Sequence, residues 1–311
     1  MKNRSTVARF SSLIPIVGLL LLTSAPAFAG TVTLKRAFIE KFKNRATIDA
    51  SLIVDHAHPH PNAPQADGDM HVAGRAQQQV GLPMVAEIMN AAAGSETAAV
   101  TAVHQDEGDN QPVAITGVWR LWFEHPSTSP QIQFQTVPPA QNTNPDHCFE
   151  IHPITKFAGI AIPNSFQFVP GFTAHDAANS FASYEKLTVT IKATASAVTI
   201  ASPKAGFNYV DFFIEFAGPP KPLDDAGAVA LASVLPDAQG EPIVENVRMI
   251  FVPGTPPALR LAQHPPQQGD RWHVLGIPRV SLNAISAFVT AGGSSASARK
   301  LPYEMIIVGV E

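Results

Sequence analysis

The sequence predicts a mainly β protein made of two small, similar β units, and three observations lead to that reading. Its apolar runs are short, rich in Val, Ile and Phe, and bounded by Pro, Gly, Asn or Asp, the pattern of strands punctuated by turns. Helical periodicity is scarce. The two halves also echo one another, which implies a repeated unit.

Taken in chain order, Lys2, Arg4 and Arg9 precede an apolar run, Leu13 to Leu22, and then small residues ending in Ala27-Phe28-Ala29. This three-part pattern is that of a secretory signal peptide over residues 1–29, and its apolar run is too short to span a bilayer. The mature chain is expected outside the cytosol, secreted or periplasmic, with no transmembrane segment. Losing three positive charges takes the formal charge from −4 to −7. A mildly acidic chain without a Lys/Arg cluster is poorly suited to binding nucleic acid, which relies on positive charge. Cys148 is the only cysteine, so no internal disulfide forms.

Strands are expected at Ala46–Val54, Asp69–Ala76, Val113–Phe123, Phe149–Ile160, Leu187–Ile200, Tyr209–Phe216, Ala228–Val234, Val247–Val252, His273–Ile277 and Tyr303–Val310. Pro83–Ala93 reads as a strand entering a turn or as a short helix. His175–Glu185 reads as a helix, from Ala178, Phe181 and Tyr184 at helical spacing. Loops are expected at His56–Ala66, at Pro126–Asn144 (with room for a short strand in Gln131–Val137) and at the Gly/Ser-rich Ala291–Ala298. For the repeat, Asp67–Ala76 is matched with Asp224–Val234, Ile115–Pro126 with Glu245–Pro256, and Glu150–Ile160 with His273–Val280. This divides the mature chain into 30–160, a linker with a short helix at 161–185, and 186–311.

The order of the first unit resembles an OB-fold, a small β-barrel with one short helix. Asp67, Asp69 and His71, then Glu87, then Thr116, Gly117 and His125, then Glu150, His152 and Pro153 follow one another along the unit, and in this wording it is also similar to small exported bacterial proteins of unknown function. The resemblance covers the first unit and well under half the chain; taken with the repeat it implies two small OB-like β-barrel units with one or two short helices, and it carries no reaction with it. OB-folds commonly bind oligonucleotides or oligosaccharides.

Chemistry is expected mainly in the first unit, where nine of the eleven histidines fall between His56 and His175. His56, His58 and His60 alternate in a Pro-containing loop, as metal ligands or as a solvated polar tract. Asp69 and His71 share one face of a strand, as do Glu150 and His152. The resemblance sets these two strands on either side of the one carrying Glu87. Asp69, His71, Glu87, Glu150 and His152 are therefore the candidate ligands for a divalent metal such as zinc, against a purely structural hydrogen-bonded reading. Glu87 has the parity of apolar Val85 and Met89, so either its strand turns a mixed face to the site or Glu87 is a buried structural acid. Among the tryptophans, Trp119 has core parity. Trp122 has the parity of Arg120 and Glu124 and is the candidate aromatic platform for a sugar ring.

No G-x-S-x-G, P-loop, C-x-x-C or H-E-x-x-H occurs, so the usual nucleophile and metalloprotease signatures are missing. Two functions follow as expectations. One is a noncatalytic exported binding or structural module, its partner a small molecule, a glycan or an envelope protein. The other is a metal-dependent phosphoester hydrolase using the Asp/His/Glu set.

Overall fold

The computed structural model describes residues 30–293 and 295–311; the expected signal peptide lies outside them. The chain is mainly β. β1 (Gly30–Lys35) and α1 (Arg36–Phe42) lead into β2 (Thr47–Ala57), β3 (Met70–Arg75), β4 (Met84–Ile88), α2 (Thr97–Asp106), β5 (Pro112–His125), β6 (Gln131–Ile132), β7 (His147–Phe157) and β8 (Ile160–Ala161). Next come β9 (His175–Asp176), α3 (Ala177–Lys186), β10 (Thr188–Ala193) and β11 (Ala197–Ser202). The rest is β12 (Val210–Phe216), β13 (Lys221–Pro222), β14 (Ala228–Leu235), β15 (Val244–Phe251), α4 (Pro256–Gln263), β16 (Arg271–Val280), α5 (Leu282–Thr290), β17 (Ser295–Lys300) and β18 (Tyr303–Val310).

Two five-stranded barrels close. The first runs β4-β3-β2-β5-β7 and is sealed by a parallel pairing of β4 with β7. The second runs β15-β14-β12-β16-β18 and is sealed by a parallel pairing of β15 with β18. Counting each barrel's strands in chain order, both follow 1-2-3-5-4 and return to 1. Each places a helix, α2 or α4, between its third and fourth strands. A third sheet, β17-β10-β11-β1-β6, takes strands from both ends of the chain. One apolar core runs through all three sheets, and a smaller one, including Ala46, Met89, Val118, Ile250 and Ile306, fills the seam between the barrels.

The seam has an approximate two-fold character, visible in reciprocal bonds. Arg120 on β5 faces Glu150 on β7, and Arg279 on β16 faces Glu304 on β18, in the same register. Arg120 Nε donates to the Pro278 carbonyl at 2.9 Å, and Arg279 Nη1 donates to the Trp119 carbonyl at 3.1 Å. Each arginine thus caps the residue preceding the other. Tyr209 Oη donates to Asp69 Oδ2 in the first barrel at 2.5 Å, while Thr47 Oγ1 donates to Asp225 Oδ2 in the second at 2.8 Å. A self-complementary contact of this kind is what two copies of one unit make.

This register corrects the sequence-based repeat. The Asp67–Ala76 match to Asp224–Val234 holds, since β3 and β14 are both second strands. Ile115–Pro126, however, corresponds to β16 and not to β15, and Glu150–Ile160 corresponds to β18. Gly117 and Gly276, three residues before the two arginines, both sit at irregularities of the fourth strand. A Cβ on Gly117 would lie 2.5 Å from Ile151 Cγ2 and 2.8 Å from the Pro153 carbonyl oxygen. Gly117→Ala is therefore expected to destabilise the protein by about 1–3 kcal/mol through overpacking, measurable by urea denaturation; an unchanged midpoint would contradict the packing.

Other expectations also change. Among the described residues five α-helices form where one or two short helices were expected. Leu187–Ile200 is two strands, β10 and β11, joined by a turn. The stretch 291–298, expected as a flexible connection, already contains the start of β17, which pairs with β10. The 175–185 helix is present as α3, capped by Asp176, whose side chain accepts from Asn179 N. Gln131–Val137 does hold a short strand, β6.

Candidate functional site

Alternation along β3, β4 and β7 turns Met70, Val72, Met84, Ala86, Phe149 and Ile151 into the first barrel and Asp69, His71, Glu87, Glu150 and His152 outward, toward the second. Strand pairing brings these outward residues side by side. His71 faces Glu87 across β3–β4, and Ala86 faces Ile151 across β4–β7, which sets Glu87 beside His152. The second barrel and the segment before it then cover them. Asp69, Glu87, Glu150 and His152 are all buried, and only His71 keeps an open edge, with 15% of its side chain exposed.

The covered set forms one polar network. His152 Nε2 lies 2.9 Å from Tyr209 Oη, whose own hydrogen goes to Asp69 Oδ2. His152 Nδ1 has no hydrogen-bond partner; it stands 3.5 Å from Glu87 Oε2 and 3.5 Å from Glu150 Oε2. Glu87 Oε2 is 3.6 Å from His71 Nε2. Glu150 is committed to Arg120, through a short charge-assisted bond, and to His147 Nε2 at 3.2 Å. Among the described residues, Asp69, Glu87 and His152 form the one group able to hold a metal, with one ligand atom from each lying within 4.8 Å of the others.

Electrostatics follows this geometry. Burial, partly opposed by the His152 charge, pushes Glu87 up to about 8, so that without a metal it carries a proton at neutral pH. Burial also raises Asp69, against His152 and Tyr209. Burial works against charge on Glu150 too, but Arg120 and His147 outweigh it and hold its carboxyl well below the usual range. His152 resists burial because Glu87 once ionised, together with Asp69 and Glu150, surrounds it with negative charge, and it rises to about 10. His71, with burial and the His152 charge both acting on it, is lowered.

The second barrel shows that such a network is no requirement of the fold. In its register Ile306 stands where His152 does, Ile250 where Glu87 does, and Val229 where His71 does. Ile250 and Ile306 are fully buried and pack into the seam. Burying an ion costs several kcal/mol unless it is paired, so polar residues at positions where the sister barrel packs isoleucine mark a specialised centre.

The remaining candidates disperse. His56 Nδ1 lies 4.0 Å from Glu107, His58 stacks on His71 at 4.5 Å, and His60 is exposed, so the loop histidines share no centre. Trp119 is in the core as expected. Trp122, expected on an open polar face, is 1% exposed and packs edge-on against Tyr184. That face is closed by α3, and Trp122 offers no platform to a sugar. Cys148 is buried and its thiol is pushed up to about 12, while His147 bonds Glu150 and the Pro145 carbonyl instead of the thiol. Sequence reasoning missed Tyr209 and Arg120. Tyr209 is 140 residues from Asp69, beyond any local pattern. Arg120 had a signal in the repeated Gly-[Val/Ile]-x-Arg of 117–120 and 276–279.

A surface cleft of about 460 Å³ lies over the second and third strands of the first barrel. Gly74, Pro83 and Met84 form its floor, and the 137–146 segment, with Pro139, Gln141 and Asn144, forms its wall. That segment is held in place: Ala140 N donates to Asp55 Oδ2 at 2.9 Å and Val137 N to Gln77 Oε1 at 3.0 Å. Asp55 is itself fixed by Arg75 at 2.8 Å. No lysine or arginine lines the cleft, and Asp146 is its one acid. No helix among the described residues is long and apolar enough to cross a membrane. Comparison with known proteins finds no family model that matches the chain and no curated protein that resembles it.

Proposed function

We propose that the protein is an exported, noncatalytic binding module of two OB-type barrels, which takes a neutral, hydroxyl-rich ligand, a glycan, in the cleft of the first. The observation that carries this reading is the cleft itself. It lies on the second and third strands and is walled by the long connection between the fourth and fifth, the face and loop that OB barrels use for ligands. Its volume is that of a small-molecule site. Amide side chains and carbonyls suit sugar hydroxyls, and the absence of cationic lining disfavours a polyanion. Export rests on the residue 1–29 pattern.

The hydrolase reading is weaker for a physical reason. A catalytic metal keeps a coordination position open to substrate, and the Asp69–Glu87–His152 group lies under the second barrel. By donor chemistry, one imidazole and two carboxylates suit zinc or a similar divalent ion, here in a closed, structural role.

The test is calorimetric titration of the protein with cellotetraose, chitotetraose and maltotetraose. One of these is expected to bind. The paired change Gln141→Ala and Asn144→Ala, both on exposed side chains, is expected to weaken binding about ten-fold or more without lowering stability by more than about 0.5 kcal/mol. Binding that survives the paired change unaltered would overturn the cleft assignment.

A further inference from the structure

We infer that the divalent ion is ligated by His152 through Nδ1 and by Glu87, with Asp69 on the opposite edge of the ring, 3.4 Å from Nε2, and that Tyr209 of the second barrel is the positioning residue. The inference rests on the proposal that this group holds an ion, and it specifies how the ion is held. Tyr209 fixes the imidazole. Its hydroxyl hydrogen is spent on Asp69 Oδ2, so its oxygen accepts from His152 Nε2–H. Once the ion displaces the Nδ1 proton, that bond leaves Nδ1 as the ligating atom, the arrangement in which a ligating histidine donates its other N–H to an outer partner.

Nδ1 is fully buried and has no hydrogen-bond partner, and it points between two carboxylates. Its 3.5 Å separation from Glu87 Oε2 is too long for a good hydrogen bond. It matches two ligand atoms on one ion: atoms each about 2.0–2.1 Å from a tetrahedral zinc lie about 3.3–3.4 Å apart. Glu150 Oε2 stands at the same 3.5 Å from Nδ1, but it is already held by Arg120 and its other oxygen by His147, so it remains the outer carboxylate. The sister positions Ile250 and Ile306 have no donor atoms, so the second barrel contributes no ligand at its own equivalent place, only Tyr209.

The consequence is a clasp. The first barrel supplies the ligands and the second supplies the group that orients one of them, so ion affinity depends on barrel docking, and the ion in turn stabilises the docked state by mass action.

The experiment is zinc titration by calorimetry on chelator-stripped full-length mature protein, with bound metal counted by atomic emission. Wild type is expected to take up about one equivalent. Glu87→Gln, which keeps shape and loses the charge, is expected to lose binding. Tyr209→Phe is expected to bind about 10–100-fold more weakly, the usual effect of removing an outer partner. Thr47→Val removes the reciprocal hydroxyl bond to Asp225 across the same seam and leaves the Thr47 N bond in place. It is expected to lower the melting temperature yet keep wild-type zinc affinity, which separates positioning from loosening of the seam. If wild type takes up no zinc, or Glu87→Gln binds as wild type does, the ion itself is wrong. If wild type and Tyr209→Phe bind equally, the ion stands and the positioning role of Tyr209 is wrong.

Discussion

Replacing Arg279 with methionine is expected to lower the stability of the protein by about 3–5 kcal/mol, through loss of the more deeply buried of Glu304's two arginine partners together with three donors to buried carbonyls. Arg279 is 1% exposed and Glu304 fully buried, with Nε bonded to Glu304 Oε1 at 2.8 Å. Its guanidinium also donates to the Ala46, Trp119 and Arg45 carbonyls of the opposite barrel and lies 3.6 Å from the centre of the Trp119 ring. The single change thus removes four donor contacts at once. Adding Glu304→Leu is expected to recover much of the loss, because an apolar pair of similar volume avoids the desolvation of both ions. Recovery will be incomplete, since the first-barrel carbonyls stay without a donor and Arg248 loses its bond to Glu304. Urea denaturation of the single and double variants measures both effects. A single variant within about 1 kcal/mol of wild type would mean that the seam does not depend on this arginine.

The second large effect is on pH dependence. In metal-free protein Glu87 holds its proton up to about pH 8, while the unfolded chain releases it near 4.5. Between these values the native state binds more protons than the unfolded state, so stability falls as pH rises. Glu87→Gln cannot ionise and is close in shape to the protonated acid. The variant is therefore expected to match wild type near pH 5 and to be more stable at pH 9, both in the presence of chelator. His152, raised from 6.5 to about 10, adds a loss of the same sign over that higher window. The variant's curve still falls, but less steeply. Thermal melts across this range check the crossing, and parallel curves for the two proteins would contradict the burial of an ionisable Glu87.

Much of the β architecture is legible in the sequence because its strands are short and sharply bounded. Ala228–Val234 between Gly227 and Pro236, or Tyr303–Val310 after Pro302, have little alternative. The helices are less legible. α4 begins with Pro256-Pro257 and α5 follows Ser281, whose hydroxyl accepts from Ala284 N at 3.3 Å. Both are start signals attached to segments too short and too mixed to show a period. The meeting of Asp69, His71, Glu87, Glu150 and His152 could be anticipated because alternation fixes the face and strand order fixes the neighbours. What makes that set a centre could not be anticipated in the same way. Tyr209 arrives from another barrel, and the closure that buries Trp122 comes from α3. Contacts of this kind are set by how separate layers stack, and they leave no trace in local spacing.

The account's central claim is that ligand is bound on the outside of the first barrel while its polar centre stays sealed. Amide-resolved shift mapping during titration with the tetrasaccharide that binds tests this directly. The account predicts shifts at Gly74, Met84, Ala140, Gln141 and Asn144, with Asp69, Glu87 and His152 unmoved and the sugar recovered intact. Shifts centred on Asp69 and His152, accompanied by cleavage of the sugar, would contradict it.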